Sequence, residues 1–244
     1  MASYTIEQGL KDTEECLKLA EEIANAALAK QTDLGGLSAM FLARASQSLY
    51  SVGLLCQNGL VGDAMSVGRT AVEMAIDYTY IAQEPKKRIP MFSDYDHVAK
   101  FKLARAIDRH VGPVSTSAMH MLQQRHDTAR ISNPNSDQNW AGLSIKKRAA
   151  AIGEAQFIEI YDLVYADMCT ASHSCYGTLE YALVGLDTNP SIRFGRMTPD
   201  AKPLDLTLAA MLLLMLNVVS GCELEKTLDQ RAREFHAHMT GQHQ

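Results

Sequence analysis

Apolar residues recur at helical spacing along most of this chain, and no stretch alternates strictly between apolar and polar residues as a half-buried strand does. The segment from Leu10 to Leu28 shows the pattern, because its apolar side chains share one broad stripe while its glutamates lie elsewhere. Glycines and prolines interrupt the pattern at intervals, as they do where helices end. Such a chain is expected to fold as packed helices, since each apolar stripe must be buried against another.

These interruptions divide the sequence into about seven to eight helices. We predict helices over residues 6–30, 37–57, 61–83, 94–111, 115–131, 144–152, 154–184 and 204–238. No repeat or separating linker emerges, so the prediction is all-α: a single helical bundle over residues 1–244 with no significant sheet. Residues 187–203, which hold three prolines, are expected to form a surface loop, and residues 236–244 a frayed tail.

Composition excludes several classes of protein. The chain has 244 residues, 47% of them hydrophobic, and a formal net charge of −5, which argues against binding nucleic acid by bulk charge alone. Its five cysteines include no C-x-x-C pair, which argues against a disulfide framework or a zinc ribbon. Neither a secretory signal nor a membrane span is indicated, and no cofactor is implied. We therefore predict a soluble cytoplasmic protein.

The charge is unevenly distributed. Residues 86–150 hold twelve basic and five acidic residues, a balance of +7, so the remainder carries −12. Within this segment Lys102, Arg105 and Arg109 share one helix face, which forms a basic ridge. The ridge could meet RNA or a small anionic ligand, but it could equally pair with the acidic first helix or be solvated.

An Arg followed four to six residues later by a His is a pattern of ribonucleases built on helical bundles. Arg105 and His110 fit it on the basic ridge, which makes them candidate catalytic residues. The pattern also occurs at Arg231 with His236 and at Arg233 with His238, close to the number expected by chance.

The third predicted helix carries a polar stripe, in which Arg69, Glu73, Asp77 and Tyr80 follow one another at spacings of four, four and three. If the stripe faces solvent, Arg69 and Glu73 form an ordinary surface ion pair. If it faces the bundle interior, its charges must pair with one another or bind a polar ligand, because unpaired buried charge is costly.

Three further places carry polar side chains of interest. Tyr165, Cys169 and His173 lie near one face of a later helix, where Cys169 could be a thiol nucleophile or inert packing and His173 a catalytic or a structural imidazole. Asp94 and His97 lie one turn apart, but one turn does not make a metal site; we predict no metal centre and interpret Asp94 as a helix N-cap.

The remaining candidate is Trp140, the single tryptophan, in a polar loop. It is expected to plug one end of the bundle rather than to stack on a nucleic-acid base.

In combination these segments resemble a bacterial all-helical family catalogued as a domain of unknown function. The resemblance spans about 37–177 and rests on AMSVGRTAVEMAIDYTYIAQEP, DYDHVAKFK, the Trp before SIKKRA, and Tyr165-x-x-x-Cys169-x-x-x-His173, where the family more often has Ser at the middle position. The family is similar to the HEPN and AbiV-like proteins of bacterial defence. The resemblance implies one polar core cluster made of Arg69, Glu73, Tyr95, His97, Trp140, Tyr165 and His173.

Two functions follow as hypotheses. The first is a binding module whose polar cluster, with Asp77, holds a ligand or sets bundle register, in a chain that forms homo-oligomers; residues 204–219 suit a dimer seam as well as a core. The alternative is a HEPN-like ribonuclease, toxin or phage-defence effector that acts on RNA through Arg105, His110 and His173. The sequence does not decide whether the protein is an enzyme.

Overall fold

The computed structural model describes residues 5–134, 139–172, 183–184, 191–192 and 200–241. Within them the chain is all-helical, as expected, apart from one antiparallel pair of two-residue strands, β1 (Leu183–Val184) and β2 (Ser191–Ile192). The described part holds nine helices, where the sequence predicts about seven to eight. These are α1 (Ile6–Ala29), α2 (Asp33–Gln57), α3 (Val61–Gln83), α4 (Pro85–His110), α5 (Thr116–Ser132), α6 (Ile145–Ile152), α7 (Ala155–Glu159, Ile160–Tyr165 and Ala166–Ser172 in succession), α8 (Lys202–Gly221) and α9 (Lys226–Thr240).

Hydroxyl caps begin several of the helices. Thr32 accepts a hydrogen bond from the Gly35 amide, so α2 begins at Asp33 rather than at residue 37. The prediction that residues 33–36 lie outside a helix is therefore wrong. A side chain at Gly35 would collide with the Ala27 carbonyl of α1, so this glycine serves close helix packing instead of a chain stop. Ser144 caps α6 as predicted.

The sequence predicts that α4 begins at residue 94, which is too late because two prolines lie near its true start. Pro85 ends α3 as expected but is itself the first residue of α4, a position where its missing N–H costs nothing. Pro90 lies within the same helix. Asp94 is consequently an interior residue of α4, and its interpretation as an N-cap is wrong.

The C-terminal half departs from prediction in three further places. Leu183 and Val184 pair as a strand, so the helix predicted to reach residue 184 does not. The single helix predicted over 204–238 is two helices, separated by a turn in which Glu223 has a φ of 48° and its carbonyl accepts a hydrogen bond from Lys30. Residues 236–240, predicted to fray, belong to α9.

Helix α8 lies at the centre of the main core and packs against α1, α2 and α3. Its side chains at Met211, Leu212, Leu214, Met215 and Val218 are buried, while Leu206 is half-buried. This packing makes α8 a core helix rather than a dimer seam. Among the described residues α8 alone is long and apolar enough to cross a membrane, and 56% of its most apolar window is buried inside the protein.

A second, smaller core lies on another side of α3, where Val72 and Ile76 meet Phe157 and Met168 of α7. Helix α3 is thus packed on two sides, and its polar stripe faces α6, α7 and the loop after α5. Helices α4 and α5 pack chiefly against each other as a hairpin, which leaves much of both helices exposed.

Candidate functional site

The polar stripe of α3 divides into two groups of contacts with different surroundings. Asp77, near the C-terminal end of the stripe, turns into the protein, and 15% of its side chain is exposed. Arg69 and Glu73, two turns and one turn earlier, keep 30% and 34% of their side chains exposed. The sequence left open whether the stripe faces solvent or the interior of the bundle. Both occur on α3, at different positions of the stripe.

The inner group is a buried ion pair between α3 and α6. Arg148 Nε lies 2.6 Å from Asp77 Oδ1, and only 5% of the Arg148 side chain is exposed. Trp140 Nε1 donates to Asp77 Oδ2 at 3.1 Å, and the Arg148 guanidinium carbon lies 5.4 Å from the centre of the indole ring. Arg148 also donates to the Leu143 carbonyl, and Asn133 donates to the Trp140 carbonyl.

The side chains of this inner group contact one another inside the protein. Burial raises the pKa of Asp77 to about 6, against the opposing effects of the Arg148 charge and the Trp140 hydrogen bond. The charges and donors of the group are turned on one another and on backbone carbonyls, which joins the loop before α6 to α3. Trp140 is a core plug as predicted, since it is 5% exposed and packs edge-on against Phe92.

The outer group lies where α3 meets α7. Arg69 Nε is 3.5 Å from Glu73 Oε1, and the same carboxylate oxygen accepts a hydrogen bond of 2.9 Å from the Tyr165 hydroxyl. Arg69 Nη1 lies 3.9 Å from Cys169 Sγ. One carboxylate is thus shared by a guanidinium and a phenol, and the Arg69 side chain remains partly open to solvent although its Nε is shielded. Burial and the Glu73 hydrogen bond raise the pKa of Tyr165, which keeps the phenol protonated.

The backbone of α7 widens at this group. Residues Ile160–Tyr165 form a π-helical turn, the form of helix that occurs mostly as short insertions and often at functional sites. The turn begins beside Tyr161, whose ring stacks on that of Tyr165 with 5.1 Å between centroids, and ends at Tyr165 itself. It therefore sets the direction from which the Tyr165 hydroxyl approaches Glu73.

The other described members of the expected cluster, Tyr95 and His97, make no hydrogen bond, ion pair or ring contact to these groups among the described residues. Tyr95 is half-buried and packs against the main core. His97 is half-buried, and its Nδ1 is shielded from solvent without a hydrogen-bond partner in the described part of the chain. His173 lies outside the described residues.

The proposed nuclease residues lie elsewhere, on the α4–α5 hairpin. Arg105 and His110 are both exposed, and five residues of helix separate them by about 140° around the axis, so they do not share a face. In the two other matches to the Arg–His pattern the arginines are held in ion pairs, Arg231 with Glu22 and Arg233 with Asp229.

Several of the positive charges in the basic segment 86–150 are paired with carboxylates of the same chain. Arg88 and Arg148 are buried, each beside a carboxylate. Surface ion pairs with carboxylates hold a further three lysines, namely Lys87, Lys100 and Lys146. The balance of +7 therefore overstates the positive surface that this segment offers to an anion.

Arg148 is the residue that sequence reasoning missed. Lys146, Lys147 and Arg148 are consecutive and resemble a solvated basic run, and only the tertiary fold places Arg148 inside. Among the described residues, moreover, no group of three or more His, Cys, Asp or Glu side chains could hold a metal ion. The geometry thus offers one open polar group, at Arg69, and one closed one, at Asp77.

Comparison with known proteins identifies a family for this chain but no function. No curated protein matches it, and no solved structure matches it. Residues 36–191, which are more than half of the chain and contain both polar groups of α3, match a family of unknown function, DUF5677. The chain therefore belongs to the family of unknown function DUF5677.

Proposed function

We propose that this protein is a cytoplasmic binding module that takes a small anionic ligand, a phosphate or a carboxylate, at Arg69. The observation that carries the proposal is that the Arg69 side chain keeps 30% of its surface exposed beside a carboxylate that it shares with Tyr165, while its Nε has no hydrogen-bond partner among the described residues. An arginine with unused donors on a rigid helix suits a planar oxyanion. The reducing cytoplasm suits the four free cysteines in the described part of the chain.

Glu73 plays two opposed parts in this proposal. It positions the Arg69 side chain, but its negative charge also competes with an incoming anion. The Tyr165 hydroxyl donates a hydrogen bond to Glu73 Oε1, which partly offsets the negative charge of this carboxylate and so weakens that competition. Glu73 and Tyr165 therefore affect the affinity for the anion in opposite directions, although neither side chain binds the anion itself.

The test is calorimetric titration with inorganic phosphate, acetate and benzoate at low salt. Arg69→Gln should abolish binding, because it removes the charge and most donors. Glu73→Gln should tighten binding about tenfold, because a competing charge is lost. Arg233→Gln, at an exposed arginine on α9, is the matched control and should bind as the wild type does.

Two results would contradict the proposal. One is the absence of binding by every anion in the panel. The other is equal binding by the Arg69→Gln variant and the wild-type protein, which would assign any observed heat to a different site.

A second candidate function is action on RNA, as in a HEPN-like defence ribonuclease or toxin. The exposure of Arg105, Arg109 and His110 on the α4 hairpin favours it, because phosphate contacts need accessible cations. Incubation with total RNA tests it: cleavage that is lost in His110→Ala and kept in His120→Ala, an exposed histidine of α5, would support a nuclease. Intact RNA with the wild-type protein would exclude it.

A further inference from the structure

Helix α2 is unusually poor in charge for a helix with an exposed face. Its 25 residues include two charged side chains, Asp33 and Arg44. Helices that are apolar on all sides are normally buried on all sides. In the single chain one face of α2 packs on α1, α3 and α8, but the opposite face is open, with Met40 63%, Tyr50 57% and Leu54 46% exposed.

The open residues of α2 follow a heptad pattern. Spacings of 4, 3, 4, 3 and 4 relate the six positions, which we call the α2 seam: Gly36, Met40, Ala43, Gln47, Tyr50 and Leu54. This is the repeat with which one helix packs along another in a coiled coil. All six are exposed except Gly36, which is half-buried. The pattern therefore calls for a second helix along this face.

The α2 seam is also complementary to itself when reversed. Its positions are symmetric about residue 45, so an antiparallel copy would bring Leu54 against Gly36, Tyr50 against Met40 and Gln47 against Ala43. Each large side chain meets a smaller or more flexible one. Nothing lies within 4 Å of the place where a Cβ would stand on Gly36, which leaves room for the leucine. A twofold axis is the commonest symmetry of protein dimers.

The groove between α1 and α2 borders the seam and is itself apolar. It has a volume of about 430 Å³, and Ala39, Ala43 and Ser46 of α2 form one wall. Small side chains along this wall allow a neighbouring helix to approach closely. Because Arg44 is the one charge near the middle of α2, electrostatic attraction contributes little to such a contact.

We propose that the α2 seam is the interface of a twofold homodimer, in which α2 packs antiparallel to α2 of a second copy of this chain. The proposal does not depend on ligand binding at Arg69. The first test is light scattering coupled to size-exclusion chromatography, where the wild type should have twice its chain mass of 26.8 kDa and should keep it in high salt.

Substitution separates this surface from other exposed apolar side chains. Met40→Glu with Tyr50→Glu should weaken the dimer at least about 100-fold, because charges would be buried in the seam. Leu103→Glu with Ile107→Glu, at positions of α4 that are 60% and 39% exposed, should leave the dimer intact. Circular dichroism would establish that both variants keep their helices.

Cysteine cross-linking tests the antiparallel register. A chain carrying both Met40→Cys and Tyr50→Cys should form a covalent dimer on mild oxidation, since these positions face each other. Met40→Cys alone should not, because ten residues, or about 15 Å of helix, separate the two copies of residue 40. A monomeric wild type at all concentrations, an intact dimer in the α2 variant, or efficient cross-linking by Met40→Cys alone would overturn the proposal.

Discussion

Replacement of Arg148 by Met is the sharpest test of the architecture around α3. The substitution keeps a long apolar stem but removes the cation that faces Asp77 at 2.6 Å. Because 15% of the Asp77 side chain and 5% of the Arg148 side chain are exposed, the carboxylate left behind cannot be rehydrated without opening the loop before α6. Breaking a buried pair in this way costs about 3–5 kcal/mol.

The expected loss is large enough to measure directly. In a chain of this size about 3 kcal/mol corresponds to a fall of roughly 6–12 °C in the unfolding midpoint. Trp140 is the single tryptophan and donates to Asp77, so its fluorescence reports on this site, while far-ultraviolet circular dichroism reports on all the helices. Urea unfolding followed by both signals gives the free energy and shows whether the loop separates first.

Two comparisons make the reasoning refutable. Arg233→Met removes one partner of the exposed pair with Asp229 and should leave the midpoint unchanged. Adding Asp77→Asn to Arg148→Met should recover part of the lost stability, because the stranded charge is gone. If Arg148→Met is no less stable than Arg233→Met, then the Asp77–Arg148 contact does not hold the loop and the distinction between inner and outer groups fails.

Three further outcomes are expected. The folded-state pKa of Asp77, about 6, lies above its ordinary 3.8, so the stabilisation by this group is present at low pH and is lost as the pH rises through 6. In urea titrations the free energy of unfolding of the wild type should be about 1 kcal/mol higher at pH 5 than at pH 7. Asp77→Asn should remove most of that difference. Gly68→Ala should cost about 1–3 kcal/mol, because its Cβ would collide with the Thr207 hydroxyl of α8. Gly62→Ala, which meets nothing within 4 Å, should be at least as stable as the wild type in the same urea titrations, because alanine favours a helix more than glycine does. Peptide mapping after alkylation of the native protein should show Cys169 labelled before Cys16, since Cys16 is fully buried and its pKa is raised chiefly by burial; the reverse order would contradict the packing of α1.

Several features could be read directly from local sequence. The apolar spacing in α1 and α8 predicts their buried faces, because a helix repeats its geometry every turn regardless of its neighbours. Ser144 as a cap and Trp140 as a buried plug were predicted for similarly local reasons. The start of α4 could not be predicted from Pro85 and Pro90, since a proline near the start of a helix and one beyond its end look alike in sequence.

The chain's own pattern determined an all-helical protein with a polar stripe on α3, because periodicity and charge spacing are properties of each segment alone. Only the tertiary structure decided that Asp77 meets Arg148 inside while Arg69 stays open near Cys169. Those partners lie about 70 and 100 residues away, and their burial depends on where α6 and α7 dock, which no local pattern encodes. The docking of α6 and α7 therefore decides whether a charged side chain is buried in an ion pair or stays accessible to solvent. Burial has this effect because it sets the free-energy cost of leaving a charge unpaired.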